Sequence, residues 1–222
     1  MSSQRGAGVG AIVGVAGGSG GVGASTLAAV LAAVGGSVLV DVDDVAGGID
    51  VLLGVEHLTG ARWSSVHIAG GRLDPRQLSD ALPRWDAVPV LAADVAPDET
   101  AVAPVLAAAR ELSTVVVDLG RAPSQARSCA VEWCALTVLL TTCDLPGVAA
   151  ARAVLAGLGG ARTGLVVRRG EIDVDDVGAL VGADVIGVLP PLRGRARAPL
   201  DAGRLPSSAV RVANGIMDGI AP

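Results

Sequence analysis

Residues 17–26 read Gly-Gly-Ser-Gly-Gly-Val-Gly-Ala-Ser-Thr, and the chemistry open to such a run is the binding of an anion. Without a Cβ, glycine lets successive backbone N–H groups converge on one point and lets a phosphate come close. A helix starting near Ser25 would add its N-terminal amides and the positive end of its dipole. The spacing Gly18-x-x-x-x-Gly23-x-Ser25 is that of a nucleotide phosphate loop, in which a lysine bridges the terminal phosphates and the hydroxyl meets Mg²⁺. Here Ala24 stands in the place of the lysine. The chain has no lysine at all, and its 17 basic side chains are arginine. A bias against lysine alone would leave arginine at this position, so alanine means that the charge itself is given up.

The same glycines, Gly18, Gly20 and Gly23, also spell G-x-G-x-x-G, the dinucleotide fingerprint, with Asp41 or Asp43 about where that fold binds ribose. Under this reading the protein is an NAD-dependent oxidoreductase with a Rossmann fold. Hydride transfer needs an acid or base. With no tyrosine and no lysine, only His57 and His67 remain as candidates, which makes this the secondary reading.

The elements that must position these residues are legible as apolar runs. Strand-like segments recur at 11–16, 37–42, 88–92, 114–119, 136–141, 164–168 and 184–188. Helix-like segments rich in Ala and Leu lie at 25–34, 97–112, 146–158 and 174–181. This alternation predicts an α/β fold of three layers, a mostly parallel sheet with helices on both faces. Residues 56–85 break the rhythm and are expected to be an insertion of short helices and loops. Its two histidines and two tryptophans are expected to pack rather than to form a partner surface. Pro190-Pro191 and an arginine-rich run precede a final helix at about 207–219, within a C-terminal helix and tail of 206–222.

At 222 residues the chain is expected to be one domain, residues 1–222. It lacks Phe and Tyr, so apart from Trp63, Trp85 and Trp133 its core must be aliphatic, which suits buried parallel strands. A formal charge of −5 offers no broad field for nucleic acid, so no specific nucleic-acid partner is expected. Arg193, Arg195 and Arg197 form a local cluster that reads as a solvated loop. Cys129, Cys134 and Cys143 lack metal-ligand spacing and read as small hydrophobes in a reducing compartment, and with no signal peptide visible a cytoplasmic location is expected. The last helix carries Val210, Val212, Ile216, Met217 and Ile220 with only Arg211 as a nearby cation, which favours packing on its own domain over lying in a membrane interface. Indirect membrane association through a partner stays open.

Three stretches together resemble the MinD/ParA group of P-loop ATPases, specifically its CpaE-like branch. Residues 19–26, Ser-Gly-Gly-Val-Gly-Ala-Ser-Thr, are similar to the deviant Walker A pattern K-G-G-x-G-K-[ST]-[ST]. Residues 38–43, Val-Leu-Val-Asp-Val-Asp, followed by 47–54, look like the acidic second-strand motif of the group, and 114–121, Thr-Val-Val-Val-Asp-Leu-Gly-Arg, look like a Walker B strand. The order of the downstream segments is similar too, and the likeness extends over nearly the whole chain, most closely to actinobacterial CpaE-like, septum-site-determining proteins. It implies a phosphate site formed by Gly18, Ser19, Gly20, Gly21, Val22, Gly23, Ala24, Ser25 and Thr26, with ATP or ADP and Mg²⁺ as cofactors. Mg²⁺ would be held by Ser25, Asp41 and Asp118, directly or through water. Asp43 matches the acid that orients the attacking water. Arg168, with Arg169, stands where the family often has Asn-Arg beside the base.

Two positions depart from the pattern: Ser19 replaces the lysine that reaches across a dimer, and Ala24 replaces the bridging lysine. The resemblance therefore implies a positioning protein with weak or absent ATP hydrolysis, a spatial regulator or scaffold for septum placement or for Tad-type pilus or secretion assembly. A homodimer and protein partners from that machinery are implied with it. The alternative within the family is an active ATP-dependent dimerising switch in which an arginine, Arg121 or one from a partner subunit, takes over from lysine.

Overall fold

The computed structural model describes residues 9–43, 45, 47–68, 71–191 and 198–220. Arg193, Arg195 and Arg197 lie outside them. In chain order the elements are β1 (Ile12–Gly17), α1 (Ala24–Gly35), β2 (Val38–Asp41), α2 (Ile49–Leu53), α3 (Pro75–Ala81), β3 (Arg84–Trp85), β4 (Val88–Leu91), α4 (Glu99–Leu112), β5 (Val115–Gly120), α5 (Gln125–Trp133), β6 (Leu136–Thr142), α6 (Leu145–Ala156), β7 (Thr163–Arg168), α7 (Val174–Val181), β8 (Val185–Leu189) and α8 (Ser207–Ile220). Short 3₁₀ turns lie at Trp63–Ser65 and Ala202–Arg204.

The strands form one sheet in the order β3-β4-β2-β5-β1-β6-β7-β8. All neighbours are parallel except β3, which pairs antiparallel with β4. Because β5 lies between β1 and β2, the crossover through α1 skips a strand. A dinucleotide fold places those two strands side by side. The topology thus departs from the Rossmann alternative and leaves the glycine loop at the centre of the sheet.

Alternation along the central strands feeds two cores. Ile12, Val38, Val40, Val115, Val117 and Leu139 pack with α3, α4, α5, α6 and α7 on one face. Val13, Val15, Leu39, Val116, Val138 and Leu140 pack with α1, α2 and α8 on the other. The three layers match the expectation from sequence. Residues 56–85 hold the turn at Trp63, α3 and the short edge strand β3. Trp63 and Trp85 are buried in the two cores while His57 and His67 are exposed. In α8, Ala209, Ala213 and Ile216 are buried in the core that also contains α1. Its apolar side is therefore already covered. Among the described residues no helix is long and apolar enough to cross a membrane.

Candidate nucleotide site

The site lies at the carboxyl ends of β1, β2 and β5, where the strand-to-helix turns converge. The glycine loop is anchored at both sides: Gly18 N–H donates to Leu140 O at 2.8 Å, and Val22 is buried in the α1 core. Between these anchors Gly20 and Gly21 are exposed, and a methyl group at either would meet nothing within 4 Å. Ser19, Ala24, Ser25 and Thr26 are half-buried around that opening.

Helix α1 begins from Gly23 at φ 95, with no side-chain cap and no acidic residue in its first turn. The helices α3 to α7 are capped instead by Asp74, Asp98, Ser124, Asp144 and Asp173. The first amides of a helix have no partner within it, so at α1 they face the open loop. What the sequence withholds at this helix start, an acceptor, is what an anion would supply.

Arg168, from the end of β7, folds onto the loop from one side. Its Nε donates to Val22 O at 2.6 Å and its Nη1 to Pro190 O at 3.0 Å. A methyl group at Gly23 would lie 2.8 Å from Nη2. Burial pushes this guanidinium below its ordinary value. Placed beside the base by the resemblance, Arg168 is found here against the backbone of the glycine loop itself.

The acidic side is formed by β2 and β5, in which Asp41 and Asp118 are opposite one another in register and both buried. Asp118 Oδ1 accepts from Gly120 N–H at 3.2 Å. Burial pushes its carboxyl up to about 6, and Asp43 adds to the rise, against hydrogen bonds from the Ser25 hydroxyl and the Gly120 amide. Asp41 is raised as well, first by burial and then by Asp118. Its carboxylate accepts from the amides of Asp43 (2.9 Å), Ile49 (3.2 Å) and Ala93 (3.5 Å), so it organises the segment after β2 as well as facing Asp118. Trp63 Nε1 donates to Asp41 O at 2.6 Å and fixes the end of β2 from below. Asp43 is half-buried over the turn after β5: Gly120 has φ 60, and a methyl group there would collide with the Asp43 carboxyl.

The structure thus brings Ser25, Asp118 and Asp41 to one place, with Asp43 beside them. Among the described residues no three His, Cys, Asp or Glu side chains form a metal-binding cluster. A set of one hydroxyl and carboxylates suits a hard, largely hydrated cation such as Mg²⁺, which keeps several waters. Cys143 is buried, Cys129 and Cys134 are partly buried, and all three are free. Burial raises the three thiols, that of Cys134 to about 12, in keeping with their reading as small hydrophobes.

Sequence reasoning missed Arg127. It sits in the first turn of α5, 5% exposed, with its backbone N–H capped by Ser124 Oγ at 3.0 Å and its Nη1 donating to Arg121 O at 3.0 Å. Arg121, the arginine singled out from sequence, is exposed and contributes its carbonyl to this arrangement. The one signal for Arg127 was Pro123-Ser124, a helix-start pattern that would have placed it on a helix beside the strand-end aspartate.

The loop, its uncapped helix and the strand order define a fold of the MinD/ParA P-loop ATPase type. Solved structures of that type agree. The chain is similar to MinD in the MinC:MinD cell division complex of Aquifex aeolicus (TM-score 0.70, 17% identity, 96% of this chain and 97% of that one). It is similar to a ParA family ATPase of Chlorobium tepidum (TM-score 0.69, 18% identity, 82% and 84%). It is also similar to the septum site-determining protein MinD of Pyrococcus horikoshii, solved with Mg-ADP (TM-score 0.63, 16% identity, 95% and 95%). At these identities the likeness is one of fold. In sequence, an uncharacterized protein of Mycobacterium tuberculosis, present in two strains, is 42% identical over 147 residues, covering 64% of this chain. That stretch is 42% of the relative, so the chain spans less than half the length of the curated relatives it matches. No protein-family model matches the chain.

Proposed function

We propose that this chain binds ATP or ADP with Mg²⁺ in the glycine loop and acts as a positioning protein of MinD/ParA type, with weak or no ATP hydrolysis. The observation that carries this is the start of α1. Its first amides have no side-chain acceptor, and the neighbouring Gly20 and Gly21 leave space in which a methyl group would meet nothing within 4 Å. Backbone N–H groups from the loop and the first turn of α1 would hold the phosphates, and Arg168 braces the loop by binding Val22 O. Ser25 and Asp118 would hold Mg²⁺ with its waters, Asp41 supporting from behind, and the ion would supply charge neutralisation at the phosphates. Asp43, which lies over Gly120, would orient a water.

Loss of the ammonium group at position 24 affects hydrolysis more than binding, because charge on the terminal phosphoryl group must be met most strongly in the transition state. A charge-assisted hydrogen bond is worth about 1.5–3 kcal/mol, so affinity falls by roughly ten- to a hundredfold from that of a lysine-bearing loop. The fold and the sequence motifs support a role as spatial regulator or scaffold for septum placement or for Tad-type pilus or secretion assembly. They also support a homodimer meeting partners of that machinery in the cytoplasm. Calorimetric titration with ATP and Mg²⁺, run beside a phosphate-release assay, tests the reading: saturable binding with little turnover is expected. Turnover equal to that of lysine-bearing relatives would remove the pseudo-ATPase part, and absence of binding would remove the whole.

A further inference from the structure

Among the described residues, Arg127 has a buried guanidinium short of two acceptors, beside the acidic end of the site, whereas Arg110 on α4 has only Nε buried without a partner. Of the three Arg127 nitrogens, Nη1 is bound to Arg121 O. Nε and Nη2 are buried with no hydrogen-bond partner. A buried charged donor without an acceptor is costly, so a state in which those two groups are satisfied is favoured whenever an anion is within reach. Arg168 has no such deficit at Nε or Nη1, which hold Val22 O and Pro190 O.

The place from which an anion would come is set by the turn after β5. Gly120 lies against the Asp43 carboxyl, and the next residue, Arg121, holds the Arg127 guanidinium. Asp43 acts on that guanidinium, favouring its charge while burial opposes it. Asp43 in turn lies close enough to Asp118 to raise it, and Asp118 meets Ser25 of the loop. The order across the site is therefore loop hydroxyl, buried carboxylates, Asp43, Arg127. Three carboxylates repel a polyphosphate, and with Ser19 and Ala24 in place of lysines the loop offers no cation of its own to offset them. Arg127 also forms part of the wall of a cleft of about 230 Å³ with Arg121, Val131 and Val154, between α5 and α6.

We propose that Arg127 is the chain's own terminal-phosphate arginine, whose Nε and Nη2 take an oxygen of the third phosphate when a nucleoside triphosphate lies in the loop. A diphosphate leaves them unfilled, so Arg127 distinguishes the two nucleotides and couples the third phosphate to α5. This rests on the nucleotide-binding reading above and assigns within it a cation supplied in cis from outside the loop. It replaces Arg121 in that role.

The test is a set of titrations with ATP·Mg²⁺ and ADP·Mg²⁺ on the full chain and on Arg127→Met and Arg127→Lys. Arg127→Met is expected to weaken ATP by about ten- to a hundredfold while leaving ADP within about twofold, the size of one charge-assisted contact. Equal losses for both nucleotides, or none for either, overturn the assignment. If the unsubstituted chain binds neither nucleotide, the nucleotide reading itself fails and takes this inference with it. If it binds both and Arg127→Met changes nothing selectively, only this inference fails. Should Arg127→Met not fold, the Arg127 Nε–H resonance of the unsubstituted chain, assigned by its loss in Arg127→Lys, gives the same decision. It is expected to shift with a non-hydrolysable ATP analogue and not with ADP, and an unmoved resonance overturns the proposal.

Discussion

Ala24 leaves uncharged a loop whose first helical amides have no side-chain acceptor. If phosphates do lie over position 24, Ala24→Lys should tighten ATP binding by about ten- to a hundredfold. Fluorescent-nucleotide titration checks this, and an unchanged affinity would mean that the loop does not present phosphates to that residue. Asp118 gives a second prediction at the same scale. Its carboxyl is raised from an ordinary 3.8 to about 6, so the folded protein prefers it protonated. That contribution to stability is fully present below the unfolded value and is lost as pH rises through the folded one. At 1.36 kcal/mol per unit the loss is roughly 3 kcal/mol at most. Asp118→Asn, which keeps an oxygen for the Gly120 amide, should therefore stabilise the nucleotide-free protein at pH 8 and bring little at pH 4. Denaturant midpoints across that range measure it, and a pH-independent difference would contradict the raised carboxyl. The three carboxylates were legible in the sequence because they end apolar runs. Arg127 was not, since Pro123-Ser124 marks only a helix start and burial is what sets this arginine apart.

Among the elements, the glycine loop and the end of β2 each depend on a brace that comes from far along the chain. Arg168 from β7 binds Val22 O, and the turn at Trp63 binds Asp41 O. Arg168→Ala leaves that carbonyl without its donor and should loosen the loop, seen as faster hydrogen exchange of the amides around residues 20–26. Exchange as slow as in the unsubstituted chain would show that Arg168 does not brace it. Gly23→Ala acts on the same element by another route. Its φ of 95 disfavours any side chain, and the methyl group would press on Arg168 Nη2 at 2.8 Å. A loss of about 1–2 kcal/mol in unfolding free energy is expected, from the backbone conformation alone. A substitution without cost would contradict the loop geometry. Neither brace could be read from the sequence, because each joins residues well over a dozen positions apart. The seven strands other than β3 could be, since each is rich in Val, Leu or Ile. Helix α5 was missed because Gln125, Arg127, Ser128 and Glu132 break any apolar repeat. Its cap at Ser124 and its packing on α4 fix it instead. Strand β3 is only two residues and is defined by its partner β4.

For the molecule as a whole, the order of strands is the decisive property. Both G-x-G-x-x-G and G-x-x-x-x-G-x-S can be read in residues 18–25, and local sequence alone does not choose between them. Placing β5 between β1 and β2 does, because it brings Asp118 against the loop hydroxyl of Ser25 and Asp43 against Gly120. The covering of α8 by the α1 core similarly leaves that helix no free apolar side for a membrane surface. The claim on which the account depends is that backbone amides hold a polyphosphate here without a lysine. Amide NMR shifts during titration of the unsubstituted chain with ATP and Mg²⁺ test it most directly. Saturable shifts centred on Gly20 to Thr26 and on Asp118 are predicted. Amides that stay unmoved at millimolar nucleotide, or that move only elsewhere in the sheet, would contradict it.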